Sequence, residues 1–276
     1  MADHPDVDGH VVRPDSPAVN RLFHVKRHAH APDGFFRCEA VGLQWLSAAD
    51  GGVPAVRVVA VDEQSLTLER LTSVPPERAA ARTFGARLAR THAAGADGFG
   101  APPPGWTAPS GFFGPLQQPL PMSYSHDTSW GRFYAEHRLM PMLERARVTP
   151  DTREAVEEVV SRCAAGMFDD PSEEPCRLHG DLWRGNVMWT PDGVVVIDPA
   201  AHGGHRETDL AMLELFGCPH HDAVLEGYQQ VRPLAEGWRD RIGLHQLHPL
   251  LAHMVLFGSG YERQTLAAAR SALAAS

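Results

Sequence analysis

Two carboxylates and an amide, Asp181, Asn186 and Asp198, lie close together in one stretch: His179-Gly180-Asp181-Leu182-Trp183-Arg184-Gly185-Asn186-Val187-Met188-Trp189, then Thr190-Pro191-Asp192-Gly193 and Val194-Val195-Val196-Ile197-Asp198. Carboxylate and amide oxygens are the ligands of a hard cation, and a carboxylate set apart from the cation can take a hydroxyl proton. The spacing places them. Val187 to Trp189 and Val194 to Ile197 are short apolar runs around a Pro-Asp-Gly turn, which predicts an antiparallel hairpin. If Trp189 pairs with Val194, Asn186 lies opposite Ile197 and next to Asp198. Paired strands lie about 5 Å apart, so the amide and carboxylate oxygens can share one cation. Asp181 precedes the hairpin on a loop, at the D-x-x-x-x-N spacing of a kinase catalytic loop.

The chemistry this predicts is phosphoryl transfer from ATP with Mg2+. Asp181 accepts the proton of an acceptor hydroxyl, and Asn186 and Asp198 hold the metal. Lys26 on a strand and Glu39 on the next helix supply the remaining part, an ion pair that aims the ammonium at the α and β phosphates. Glu69, where a following hairpin ends, joins Lys26 and Glu39 as a nucleotide-binding candidate.

Strands must carry the first of these residues and helices must back the rest. Leu22 to Lys26 alternate as in a half-buried strand, and after the turn Ala31-Pro32-Asp33-Gly34 the residues Phe36, Glu39, Leu43 and Leu46 share one helical face. Glu39 in that apolar stripe needs a cationic partner. Val56, Val58 and Ala60, then Leu66 and Leu68, alternate on either side of Asp62-Glu63-Gln64 as a hairpin. Beyond Pro75-Pro76 the pattern becomes helical, with Ala81, Phe84, Leu88 and His92 on one helix closed by Gly95. A Gly/Pro-rich stretch to about Pro121 reads as a long ordered loop. Trp130, Phe133, Tyr134 and His137 mark a helix that Pro141 ends or kinks, the aromatic residues serving as packing. Thr149-Pro150 opens another, whose apolar face runs Val156, Val159, Val160, Cys163, Ala164, Met167. The expectation is an α+β, two-lobed fold: a small β-rich nucleotide-binding N-lobe over residues 1–72 and a larger helical catalytic and substrate-binding C-lobe over residues 73–276.

Composition narrows the function. With 276 residues, 43% hydrophobic and 21% charged, the chain is globular, and its net charge of −9 offers no basic field for nucleic acid or anionic lipid. Cys38, Cys163, Cys176 and Cys218 are scattered without a C-x-x-C pair, which argues against a disulfide scaffold or structural zinc and points to a reducing cytoplasm. The start has neither a basic cluster nor an apolar run, and no stretch is long enough to span a bilayer. His24, His28 and His30 lack a convergent carboxylate or thiolate and read as surface histidines.

The chain resembles the fructosamine kinase (ketosamine 3-kinase) family, relatives of the aminoglycoside phosphotransferases with a protein-kinase-like fold. Many small-molecule kinases share the H-G-D-x-x-x-x-N loop. Asp181-Leu182-Trp183, followed by Asp198-Pro199-Ala200 and Gly204-His205-Arg206-Glu207-Thr208-Asp209-Leu210-Ala211, is closer to this family, and similar stretches extend over most of the chain. The resemblance implies ATP-dependent phosphorylation of the sugar 3-hydroxyl of a ketosamine, the adduct of glucose or ribose with an amine. The product then loses the sugar and frees the amine, a deglycation repair. It also implies that Trp183, which otherwise reads equally as a core residue, walls the sugar, and that His205, Glu207 and Asp209 lie on the substrate side or support the catalytic loop. Asp209, at the start of the apolar run Leu210 to Phe216, also reads as a helix cap.

One departure stands out. The family carries a Gly-Gly pair before the lysine strand, whereas this chain has only Gly9 there, and Val11 to Asn20 contain Pro14 and Pro17 without a glycine. A shortened N-lobe is therefore expected, from a late start or a reduced lid over the nucleotide. Two rival readings keep the same residues: a kinase of another small alcohol such as an aminoglycoside, choline or a thiosugar, and a non-catalytic kinase-like binder. The acceptor, free or protein-bound, and the oligomeric state are left open by the sequence.

Overall fold

The computed structural model describes residues 22–275, so the glycine-poor segment expected over the nucleotide lies outside the described residues. The chain then runs through β1 (Phe23–Arg27), α1 (Phe35–Ser47), β2 (Val58–Val61) and β3 (Ser65–Glu69). These strands form an antiparallel sheet in the order β1-β3-β2, with Lys26 opposite Leu66. Leu66 and Leu68 of β3 are buried against Phe36 and Leu43 of α1, as their alternation and helical spacing require.

Helices dominate the rest of the chain: α2 (Arg78–Ala93), α3 (Trp130–Tyr134), α4 (Met140–Arg145), α5 (Pro150–Ala164), α6 (Glu207–Leu215), α7 (His221–Val231), α8 (Ile242–Phe257) and α9 (Glu262–Ala274). No helix among the described residues is long and apolar enough to cross a membrane. Short strands sit between them: β4 (Ser110–Phe113) with β5 (Leu120–Ser123), β6 (Cys176–Leu178) with β9 (His202–Gly204), and β7 (Val187–Thr190) with β8 (Gly193–Val196).

Three local expectations are corrected. The stretch read as a loop contains the β4–β5 hairpin, because Phe113, Leu120 and Met122 alternate inward across it. Of the two outcomes expected at Pro141, an end or a kink, the end does not occur: a π-helical turn over Ala135–Leu139 leads into α4, and the proline sits in its first turn, where a missing N–H matters least. Met167 leaves the apolar face of α5, which stops at Ala164.

The β7–β8 hairpin is held from both lobes. Val56 N donates to Val196 O at 3.0 Å, Val196 N to Pro54 O at 2.9 Å, and Val74 N to Trp189 O at 2.8 Å, while Val195 and Ile197 pack against the N-lobe core. On its other side Val187, Trp189, Val194 and Val196 join Phe84 and Leu88 of α2 and Val224 and Tyr228 of α7 in a second core.

Helices α2 and α7 meet at backbone level. A Cβ on Gly85 would lie 1.9 Å from Val224 O, and one on Gly227 1.9 Å from Arg82 O, so each helix needs a glycine where the other crosses. Arg78 and Arg82 then reach Asp222 and Glu226 at 2.6 and 2.7 Å along the seam. Because neither backbone can retreat cheaply, Gly85→Ala is expected to lower the unfolding free energy by about 3 kcal/mol in urea titrations. Gly260→Ala, which meets nothing within 4 Å, should stay within about 0.5 kcal/mol of the parent.

Candidate active site

The β7–β8 hairpin has the register that its sequence predicts. Trp189 faces Val194, Val187 faces Val196, and Ile197 N donates to Asn186 O at 3.1 Å. Asn186 therefore stands beside the strand end from which Asp198 departs. Its amide nitrogen donates to Asp181 O at 2.8 Å, Asp181 Oδ2 at 3.2 Å and Asp198 O at 3.3 Å. Its Oδ1 is left as the atom that can meet a cation. Asp198 adopts φ 55°, the left-handed region that costs a non-glycine residue about 1 kcal/mol or more. The hydrogen bonds at Ile197, Asn186 and Asp198 hold it there.

Lys26 reaches across the cleft between the lobes. Its Nζ lies 2.6 Å from Glu39 Oε1 and 2.6 Å from Asp198 Oδ1, joining β1, α1 and the hairpin end. Burial works against the ammonium, but the two carboxylates outweigh it and hold the Lys26 pKa above its ordinary value. Burial pushes the Asp181 carboxyl up to about 7, with Asp198 and Asp209 adding to the shift and the Asn186 hydrogen bond opposing it. A carboxylate tuned near neutral pH suits a general base.

The loop carrying Asp181 is fixed from behind. Asp209, completely buried in the first turn of α6, accepts from His179 N at 2.8 Å through Oδ2 and from Gly180 N at 3.0 Å through Oδ1. His92 Nε2 lies 3.2 Å from Oδ2, and His92 Nδ1 lies 2.8 Å from the Tyr228 hydroxyl. Burial keeps His92 neutral, so its Nε2–H donates to Asp209 and Tyr228 donates to Nδ1. Burial alone would raise the Asp209 pKa; His92 and the loop amides more than offset it and hold the carboxyl below its usual range. Asp209 thus braces the loop and is not the helix cap: Arg206 occupies that position. His179 ties the loop to the hairpin, accepting from Asp181 N at 3.2 Å on Nδ1 and donating from Nε2 to Ile197 O at 2.8 Å. Gly180 has φ 80°, and a Cβ there would lie 2.2 Å from Ala200 O.

Lys26, Glu39, Asp181, Asn186 and Asp198 line one cleft of about 420 Å³, together with Trp183. The structure does not bring three other candidates to it. Glu69 pairs with Arg57 at 3.2 Å on the surface of β3, since its strand position turns it away from Lys26. His205 and Glu207 are buried under Trp130 instead of facing the substrate side. Glu207 meets Arg241 Nη2 at 2.6 Å and Nε at 2.9 Å, and His245 lies 3.3 Å away. Against burial, His245 and Arg241 hold Glu207 well below the usual carboxylate range. His205, Glu207 and His245 are close enough to hold a cation, but Arg241 already takes both carboxylate oxygens, and Glu207 N donates to His205 Nδ1 at 3.2 Å.

Sequence reasoning gave no role to His92, whose partner Asp209 lies 117 positions away. Nor did it assign Phe112, Phe113 and Leu116, which line the cleft from the β4–β5 hairpin. Their alternation was the available signal.

The donor set fits a hard cation: Asn186 Oδ1 and the Asp198 carboxylate are oxygen ligands on adjacent strand ends, the kind Mg2+ takes alongside nucleotide phosphates.

A family model described as fructosamine kinase matches residues 11–275. A crystal structure from Thermobifida fusca, assigned as a fructosamine-3-kinase, is 48% identical, with a TM-score of 0.83 over 91% of this chain and 85% of that one. A Thermus thermophilus protein named "probable ketoamine kinase" is 36% identical over 241 residues, 87% of this chain and 83% of its own. Choline kinase LicA from Streptococcus pneumoniae is 16% identical with a TM-score of 0.55, over 92% of this chain and 86% of that one, a likeness of fold alone. The fold class is the protein-kinase-like α+β architecture expected from the sequence.

Replacing Asp209 should unfasten the catalytic loop. Asp209→Ala leaves two buried amides and a buried imidazole without an acceptor and is expected to cost about 3 kcal/mol of stability. Asp209 titrates below the ordinary carboxylate range, so its stabilising contribution is complete above about pH 4 and is lost as pH falls through the folded value. Urea midpoints measured from pH 7 to pH 3 should show the parent's advantage over Asp209→Asn shrinking only at the acid end.

Proposed function

The chain belongs to the fructosamine kinase family, a phosphotransferase acting on a hydroxyl, and from that premise we propose that it moves the γ-phosphoryl group of ATP onto the 3-hydroxyl of a ketosamine, a fructosamine or ribulosamine. The observation that carries this reading is the convergence of Lys26, Glu39, Asp181, Asn186 and Asp198 on one cleft that also contains Trp183. The names of the Thermobifida and Thermus relatives support the acceptor class.

In the reaction, the acceptor oxygen forms a bond to the γ-phosphorus as the bond to the β-phosphate oxygen breaks, and ADP leaves. Asp181 accepts the hydroxyl proton, and the Asn186 amide keeps its Oδ2 aimed. Lys26, oriented by Glu39, meets the α and β phosphates. Asn186 and Asp198 would hold Mg2+, which supplies neutralisation of phosphate charge when bound. Lys26 Nζ lies 2.6 Å from both Glu39 Oε1 and Asp198 Oδ1, so the ammonium that would meet the phosphates stands beside the carboxylate that would hold the cation.

Trp183, 37% exposed in the cleft, offers an apolar face to the sugar. Phosphorylation turns the oxygen on the carbon next to the ketone into a leaving group: loss of a proton from the carbon that bears nitrogen and departure of phosphate would leave a conjugated imine, and water would cleave its C–N bond to return the amine and a dicarbonyl sugar. That consequence is the deglycation role, and a reducing cytoplasm, to which the scattered cysteines point, is its setting.

The test is ATP consumption by the purified protein with a glycated lysine of fructose or ribulose type. Turnover should disappear when Mg2+ is chelated, and Asp181→Asn should lower kcat by about 10²- to 10⁴-fold without loss of nucleotide binding. Activity on an aminoglycoside or choline in place of every ketosamine would replace the acceptor, and nucleotide binding without any turnover would leave a binder.

A further inference from the structure

The cleft is divided by charge. Its ionised side chains, Lys26, Glu39, Asp181 and Asp198, stand together at the phosphoryl end, and the reaction uses all of them. Among the described residues, the remaining lining carries no Lys, Arg, Asp or Glu.

Beyond Asp181 aromatic rings succeed one another outward. Trp183 meets Phe216 edge-on with centroids 6.2 Å apart, Phe216 stacks on His253 at 4.6 Å, and His253 contacts Phe257 at 5.3 Å. Phe257 lines the cleft yet is 60% exposed. The other exposed large hydrophobic side chains among the described residues are Leu22, Val59, Val61, Met167, Trp183 and Val231, so the only aromatic ones among these, Trp183 and Phe257, both border this cleft. Apolar rings left in water beside a catalytic cleft gain most from covering by a ligand.

Resting on the ketosamine reading, we propose that Leu256 and Phe257 form a subsite for the group attached to the ketosamine nitrogen, and that the subsite selects a neutral apolar group. With the sugar hydroxyl at Asp181 and its face on Trp183, the nitrogen substituent can extend toward the nucleotide phosphates or toward this shelf. The first direction is filled during reaction. On the shelf, alkyl or aryl carbon covers Phe257. A carboxylate next to the nitrogen would find no cation in this part of the lining and would face Asp181 and Asp198. Adducts of simple alkylamines, or of a lysine side chain whose methylenes separate the nitrogen from the backbone, are therefore favoured over adducts of an α-amino group.

The experiment compares the ketosamines of butylamine and of glycine, made with the same sugar, in steady-state assays with ATP. The butylamine adduct should have a kcat/KM about tenfold higher. Phe257→Ala should raise its KM about five- to tenfold, while kcat, the KM for ATP and the constants for the glycine adduct stay put. The side chain is largely exposed, so an unchanged melting temperature will separate this loss from misfolding. Equal or better use of the glycine adduct, or an equal effect of Phe257→Ala on both adducts, overturns the subsite and leaves the kinase reading intact. No turnover of either adduct, or of the glycated lysine, overturns the reading on which the subsite rests, and the subsite with it.

Discussion

A single buried carboxylate sets the position of the loop that carries Asp181. Asp209 has no access to water and satisfies its two oxygens with the His179 and Gly180 amides and the His92 imidazole. An ionised carboxylate in that place is tolerable only while all these donors stay, so the loop, α2 and α6 are constrained together. The chain of dependence continues outward. His92 is placed by Tyr228 of α7, and α7 can lie against α2 only because Gly85 and Gly227 allow the backbones to touch. Asp181 is thus located by packing far from the cleft, which is the precision that the base proposed for it would require.

The front of the site is held differently. Lys26 belongs to a small lobe whose contacts with the catalytic hairpin run through Pro54, Val56 and Val74, and it closes onto Asp198 through charge. Asp198 carries left-handed backbone at the end of β8, strain that persists because Ile197, Asn186 and His179 each fix the surrounding peptide groups. A rigid rear and an electrostatic front suit a site that must admit a large anion and then surround it.

How much of this could be read from the amino acids depended on the range of each interaction. The hairpin was legible to its register, because Val187 to Trp189, the Pro-Asp-Gly turn and Val194 to Ile197 are contiguous and strand alternation leaves few other pairings. Lys26 and Glu39 were legible because a carboxylate in an apolar helical stripe demands a partner. The roles of His92 and Tyr228 were not: both look like ordinary helix-face residues until folding brings them to Asp209. His205 and Glu207, expected on the substrate side or in support of the catalytic loop, do not line the cleft for a related reason. Their stretch adjoins the site in sequence, but the first turn of α6 sends Asp209 toward the loop and Glu207 toward Arg241 and His245. Residues two apart on a helix do not share a face.

The two ends of the cleft therefore differ in how they are encoded. The phosphoryl end is specified by a local motif and a buried network in which each polar group has a required partner. The end proposed for the acceptor is lined by Trp183, by Phe112, Phe113 and Leu116 of the β4–β5 hairpin and by the last turn of α8, mostly apolar side chains. Apolar contact tolerates exchange of one side chain for another of similar volume far better than a buried hydrogen-bond network does. Changes in the preferred acceptor can then accumulate at one end without disturbing the chemistry at the other.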